Sequence, residues 1–123
     1  DVIAPANDLS FFSNKEFDLL TSFDCLEHVP EEEIDEAFSE FKRISRRVFL
    51  QICLEESPTL MDGQPLHVCI KPKEWWLDIA KKHFFEITSY EEGSARFDTN
   101  KNRVVYSFQG EKVRELIITG KCY

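Results

Sequence analysis

Glycine is scarce in this chain of 123 residues, and its four glycines stand far apart, at Gly63, Gly93, Gly110 and Gly120. A loop that cradles phosphates or a dinucleotide needs glycines a few residues apart, because side chains block the approach of the backbone to the ligand. These residues therefore contain no loop of that kind.

Positive charge and long apolar runs are also lacking. The chain has 15 Lys and Arg against 23 Asp and Glu, a formal net charge of −8, whereas non-specific nucleic-acid binding needs a basic surface. No apolar run approaches the length of about 20 residues that a membrane span requires. The first residues, 1–5, have neither the basic nor the apolar region of a signal peptide. We therefore expect no contact with membranes and no non-specific nucleic-acid binding.

The cysteines form no metal-binding or disulfide pattern. Cys25, Cys53, Cys69 and Cys122 are scattered, mostly within apolar runs, and no Cys-x-x-Cys pair occurs. This spacing argues against a disulfide framework or a zinc ribbon and predicts buried structural thiols, Cys25 included, in the reducing cytoplasm.

The chain does contain enough hydrophobic residues to form one core. Hydrophobic residues make up 42% of the sequence, and eleven of them are Phe. The length fits one domain over residues 1–123.

The apolar pattern alternates between strand-like runs and helical stripes. The clearest helix covers 31–45, with acidic residues in its first turn, basic residues at its end and apolar residues every three or four positions. A second helix opens near Pro72, with Trp75 and Trp76 divided between core and surface. The strand-like runs cover 17–23, 47–54, 84–90, 103–108 and 116–119, with a loop at 55–65. This order predicts an α/β fold whose parallel strands come first, with antiparallel strands at the C-terminal edge.

One stretch resembles a known family. Residues 17–30, FDLLTSFDCLEHVP, resemble the fourth strand and following loop of class I S-adenosylmethionine-dependent methyltransferases, including their Leu-Glu-His turn. Upstream, residues 8–11, DLSF, take the place of that family's DLPF-like turn, with Ser10 where proline is usual. Residues 83–86, HFFE, look like the family's "H-x-FE" strand start.

The resemblance implies a partial, Rossmann-like methyltransferase sheet, since the family's glycine-rich cofactor loop and its ribose-binding acid would precede residue 1. It therefore predicts methyl transfer from S-adenosylmethionine to an unidentified O, N or C acceptor, by a longer enzyme of which this chain is the C-terminal half. The alternative is a naturally short, inactive module of methyltransferase fold that serves in binding or regulation. In either case we expect the isolated chain to bind the cofactor weakly or not at all.

The resemblance also assigns candidate site residues. Ser22, Phe23 and Asp24 would line the cofactor at the end of the strand, together with Asp8 and Leu9 of the upstream turn. Glu27, His28 and His67 would belong to the substrate side or to the loop, where Glu27 and His28 have the alternative role of orienting the loop through hydrogen bonds. No catalytic residue is identified, because methyl transfer rests largely on proximity and alignment.

No metal is expected, since most family members with this turn bind none. A minority, among them small-RNA and quinone-precursor O-methyltransferases, look similar here and hold a divalent cation with two acids and a histidine of the loop. Asp24, Glu27 and His28 match that spacing, and His67 offers a further ligand. Carboxylates with imidazoles suit Mg, Mn or a related divalent ion.

The strand at 17–23 predicts association. In the family's complete fold its neighbour is a strand that would precede residue 1, and an apolar free edge tends to recruit another strand. We expect a homodimer, or packing against a missing N-terminal half, through this edge or the apolar faces beside it. The competing expectation is that residues 1–12 fold back and cap the edge.

Overall fold

The computed structural model describes residues 1–57, 59–93, 95–98, 103–106 and 114–123, with side chains for 1–57, 59–89 and 115–123. Within these ranges none of the helices is long and apolar enough to cross a membrane. The elements in chain order are β1 (Leu20–Phe23), a short 3-10 helix (Leu26–His28), α1 (Glu31–Ile44), β2 (Arg47–Cys53), β3 (Leu60–Met61), β4 (Gln64–Pro65), α2 (Lys73–His83), β5 (Phe85–Gly93), β6 (Ala95–Asp98), β7 (Arg103–Tyr106) and β8 (Arg114–Lys121).

The main sheet of the described residues has the order β1-β2-β8-β5. β1 and β2 are parallel neighbours, with Leu20 opposite Val48, and β8 pairs antiparallel with both β2 and β5. The predicted α/β fold, parallel first and antiparallel toward the C-terminal side, is confirmed. The last strand of the chain lies inside the sheet, however, and β5 forms the edge.

The helix α1 follows from its sequence pattern almost residue for residue. Three glutamates occupy its first turn after Pro30, and Lys42 and Arg43 lie in its last turn, as the helix dipole favours. Its apolar stripe packs with α2 onto one face of the sheet, where Trp76 is fully buried and Trp75 partly buried. The buried core on this face includes Leu26, Ile34, Phe38, Phe41, Val48, Leu50, Ile52, Trp76, Ala80, Phe84, Leu116 and Ile118.

The first strand departs from its prediction. The apolar run at 17–23 predicts a strand covered on both faces, whereas β1 begins at Leu20 after a single bridge between Phe17 and Ser45. Leu19 and Phe23 are 49% and 56% exposed, so coverage on both faces is wrong for this strand. The other face of the sheet carries no helix of the described chain that would shield them.

Further details of the structure bear on the sequence-based expectations. The loop at 55–65 contains the hairpin β3–β4, whose turn residues Asp62 and Gly63 have φ of 52° and 78°. Both angles suit the tight hairpin turn that an Asp-Gly pair favours. Cys25 is exposed rather than buried, while the other three thiols are buried as predicted. The predicted strand at 103–108 is observed as β7 as far as residue 106, and residues 107 and 108 lie outside the described part.

Candidate functional site at the carboxyl ends of β1 and β2

The site begins where β1 ends. The amide of Asp24 still donates to the carbonyl of Gln51, at 3.2 Å, and then the chain turns away with Asp24 at φ of 46°. The turn continues as the short 3-10 helix, in which Leu26 and Glu27 are fully buried and His28 is exposed. Since β1 and β2 are parallel, this turn lies at the same edge of the sheet as the loop after β2, the edge where open α/β sheets bind ligands.

The loop leading to α2 is fastened onto this turn by two backbone hydrogen bonds. The amides of Val68 and Cys69 both donate to the carbonyl oxygen of Glu27, at 2.9 and 3.0 Å. His67 precedes these two residues, so the same contacts bring its ring to His28. The two imidazole centroids lie 4.9 Å apart with the rings nearly perpendicular.

Glu27 is the unusual residue of the site. Its side chain is fully buried, and neither carboxylate oxygen has a hydrogen-bond partner within the described residues. Burial raises the pKa of this carboxyl group. The backbone amide of Glu27 itself lowers this pKa, the nearby charge of Asp24 raises it, and His28 and His67 lower it. A buried carboxylate without a partner carries a large desolvation cost, which indicates a partner that the protein side chains do not supply.

Both histidine rings are held by backbone carbonyls. Nδ1 of His28 lies 2.9 Å from the carbonyl oxygen of Leu66, and Nδ1 of His67 lies 2.6 Å from that of Glu55. A carbonyl only accepts hydrogen bonds, so each Nδ1 must carry the proton. In the neutral ring Nε2 is then the nitrogen with a free lone pair.

One potential ligand atom each from Glu27, His28 and His67 lies within 4.8 Å of the other two. Of the turn residues named for the less favoured alternative of a metal site, Glu27 and His28 thus lie together with His67. Asp24 is exposed and lies outside this group, although its charge acts on Glu27. Cys69 is close by, but burial raises its pKa to about 11, so at neutral pH it is a thiol rather than a thiolate.

The expected cofactor-lining residues are divided between two places. Ser22 is buried with a hydroxyl that has no partner in the described chain, and the ring of Phe23 rests against that of Phe49 at 5.6 Å. Asp8 and Leu9 are held near α1 instead. The amide of Leu9 donates to Glu40 at 2.8 Å, and the carboxylate of Asp8 accepts from the amide of Ser10. The proposed role of all five in cofactor binding stays a prediction.

A second feature lies on the sheet face opposite the helices. A shallow concavity of about 580 Å³ is lined there by side chains of β1, β2, β5 and β8. Its floor is mainly apolar and its rim carries the ion pair of Lys121 with Glu86, at 2.6 Å. Side chains that line it include Leu19, Thr21, Phe23, Phe49, Thr88 and Thr119.

Sequence reasoning named Glu27, His28 and His67 but missed what orients them. The orienting groups are the main-chain carbonyls of Glu55 and Leu66 and the amides of Val68 and Cys69. Main-chain groups carry no residue-type signal, so no pattern in the sequence marks them. The same loop does contain one pattern that is readable from sequence. The Asp62-Gly63 pair marks the turn of the hairpin that precedes His67.

Comparison with known proteins identifies similar folds but no relatives by sequence. No protein-family model matches the sequence, and no curated protein matches it by sequence. Among solved structures, the PH0226 protein from Pyrococcus horikoshii OT3 is similar with a TM-score of 0.65 and 14% identity, over 99% of this chain and 58% of that one. The phosphoethanolamine N-methyltransferase 2 of Haemonchus contortus, in complex with phosphomonomethylethanolamine and S-adenosylhomocysteine, is similar with a TM-score of 0.58 and 16% identity, over 89% of this chain and 34% of that one.

The chain therefore has a methyltransferase-like α/β fold. It spans a little over half the length of the first of these proteins and about a third of the second. At these identities the likeness concerns the fold, and the chemistry has to be argued from the site.

Proposed function

We propose that the chain is the C-terminal part of an S-adenosylmethionine-dependent methyltransferase domain that methylates an O, N or C acceptor. The observation that carries the proposal is the position of the Leu-Glu-His turn. It follows the carboxyl end of β1, at the ligand-binding edge of a sheet similar to that of a methyltransferase bound to S-adenosylhomocysteine.

The residues present at this edge fit part of such a cofactor. The buried, unpartnered hydroxyl of Ser22 offers a hydrogen bond, and the half-exposed ring of Phe23 offers an apolar surface. Asp24 adds an exposed carboxylate directly after the strand. S-adenosylmethionine supplies the electrophilic methyl group, and the contribution of these side chains is to hold and orient it.

The scarcity of glycine supports the view that this chain provides only part of the cofactor site. A tight, glycine-rich approach to the methionine part has no candidate among its four isolated glycines. We therefore expect the isolated chain to bind S-adenosylhomocysteine at least about tenfold more weakly than the protein encoded by the complete reading frame, a difference of about 1.4 kcal/mol.

The test is calorimetric titration of S-adenosylhomocysteine into the protein of the complete reading frame. Binding is expected, and Phe23→Ala should weaken it at least about tenfold, because the ring lies at the carboxyl end of β1. The matched control is Phe85→Ala, a similarly exposed aromatic residue at the start of β5. A complete protein that binds no S-adenosylhomocysteine, or that loses affinity equally in both variants, contradicts the proposal.

The second candidate is a binding or regulatory module of methyltransferase fold without activity. The uncovered apolar face of the sheet and the free edge of β1 favour it, since such surfaces are typical of interfaces. The partner would be a second copy of the chain or an N-terminal half of the domain. Failure of the complete protein to bind the cofactor, together with a stable dimer, would support this candidate over the enzyme.

A further inference from the structure

We propose that Glu27, His28 and His67 form a binding site for a divalent transition-metal ion, with the carboxylate of Glu27 and the Nε2 atoms of the two histidines as ligands. The sequence alone favoured no metal at this place. The proposal rests on the geometry of this cluster and does not depend on methyl transfer.

The first argument is the buried carboxylate. Glu27 is fully buried, and both of its oxygens lack a partner within the described part of the chain. Buried acids in proteins are paired, hydrogen-bonded or bound to a metal, because an isolated buried charge is very costly. Potential ligand atoms of His28 and His67 lie within 4.8 Å of it, so a cation between the three side chains would supply the missing partner.

The second argument is the orientation of the imidazoles. Metal-binding histidines characteristically donate their other ring N–H to a carboxylate or a backbone carbonyl, which fixes the tautomer and the ring direction. Both rings meet this condition, through the carbonyls of Leu66 and Glu55 at 2.9 and 2.6 Å. The two loops that supply these ligands are themselves locked together at the carbonyl of Glu27. Backbone hydrogen bonds therefore fix both the histidine rings and the two loops that carry the ligands.

The donor set determines the class of ion. Two imidazoles and one carboxylate suit Fe²⁺, Co²⁺ or Zn²⁺ better than Mg²⁺ or Ca²⁺, which prefer oxygen ligands. The exposure of His28 leaves the cluster open to solvent, so the remaining coordination positions would hold water or an oxygen of a ligand. Such an ion is able to act as a Lewis acid on a bound oxygen.

The test uses the chain after metal removal with a chelator, titrated with Co²⁺ and followed by its visible d–d absorption. One equivalent is expected to bind, with displacement by Zn²⁺ and at least about tenfold weaker competition by Mg²⁺. Glu27→Gln and His67→Asn should each weaken Co²⁺ binding at least about tenfold. His83→Asn is the matched control, since this third histidine pairs with Asp35 between the two helices.

A second measurement separates a ligand from a structural residue. Glu27→Gln removes a buried unpaired charge, so the metal-free variant should unfold at a temperature equal to or above that of the parent chain, while the stabilisation on adding Co²⁺ disappears. The proposal is overturned if the parent chain binds no Co²⁺. Equal binding by Glu27→Gln and the parent chain, or equal losses in His67→Asn and His83→Asn, also overturns it.

Discussion

The two faces of the main sheet differ both in their residues and in their surroundings. On one face, Leu50, Ile52 and Ile118 are fully buried beneath α1 and α2. On the other face, Phe23 and Phe49 contact each other above a shallow concavity and no helix of the described chain lies over them. The first face is a buried core, whereas the second combines exposed apolar side chains with threonines and charged residues.

This difference shows that the described residues provide helices for only one side of the sheet. A sheet with parallel strands is ordinarily covered on both sides, and its strands are apolar on both sides for that reason. Here α1 and α2 cover one side, and the side chains of Leu19 and Phe23 are left about half exposed on the other. A second layer over this face, from another part of the domain or from another chain, would bury these side chains.

Truncating one aromatic residue on each face should give the largest contrast. Phe38→Ala removes a fully buried ring that stacks near Trp76 and Phe84, so we expect it to lower the free energy of unfolding by about 3–5 kcal/mol. Phe23→Ala, on the open face, should cost less than about 1 kcal/mol, since the side chain is already 56% exposed and its ring contact is with Phe49. Urea denaturation measures both, at a protein concentration low enough to keep the chain monomeric, and equal losses would contradict the difference between the two faces.

The open face should also control association. We expect the chain to form a homodimer through this face and the edge of β1, and the double variant Leu19→Glu, Phe23→Glu to weaken the dimer at least about 100-fold, or about 2.7 kcal/mol. Phe11→Glu is the matched control, because Phe11 is 75% exposed in the N-terminal segment. Sedimentation velocity measures the effect.

The alternative for this edge, capping by residues 1–12, receives no support from the described contacts. The segment is held against α1 instead, through Arg43, which donates to the carbonyls of Leu9 and Phe12 at 2.9 and 2.7 Å. A parent chain that sediments at 14.4 kDa at tens of micromolar would nevertheless exclude the homodimer.

Much of the covered face could be predicted from sequence because it depends on local periodicity. The spacing of Ile34, Phe38 and Phe41 determines both the helix and its buried side. The exposure of β1 could not be predicted in this way, since an apolar run indicates that a strand is suited to burial without specifying what covers it. The placement of β8 between β2 and β5 is likewise a non-local pairing that its own residues do not encode.

The site shows the same division. The Leu-Glu-His turn is readable as a motif, but the full burial of Glu27 is contrary to the usual exposure of glutamate. The proximity of His67 to His28 depends on main-chain hydrogen bonds between segments about 40 residues apart, which no residue pattern reveals. The proximity of the two histidines is therefore known only from the structure.

The covered face is also secured at the opposite end of the strands, by Lys15. Its ammonium donates to the carbonyls of Lys42, Ser45 and Cys122 at 2.6, 2.9 and 3.0 Å, joining the end of α1 to the last residues of the chain. Lys15→Met should therefore lower the free energy of unfolding by about 2 kcal/mol, because charge-assisted hydrogen bonds are lost. Lys81→Met, which removes an exposed charge on α2, is the control, and an equal effect of the two would contradict the assignment.

The smallest expected effect concerns the ion pairs between α1 and α2. Hydrogen bonds from Lys82 and His83 lower the pKa of Asp35 below its ordinary value of 3.8. A carboxyl group whose pKa is lowered by folding stabilises the folded state above its unfolded pKa, and this contribution is lost as the pH falls through its folded pKa. Since the side chain of Asp35 is 55% exposed, we expect Asp35→Asn to cost less than about 1 kcal/mol at pH about 6. Urea denaturation of both proteins should show this cost shrinking toward zero as the pH is lowered from about 4 to about 2. A difference that is constant over that range would mean that Asp35 contributes through packing rather than through its charge.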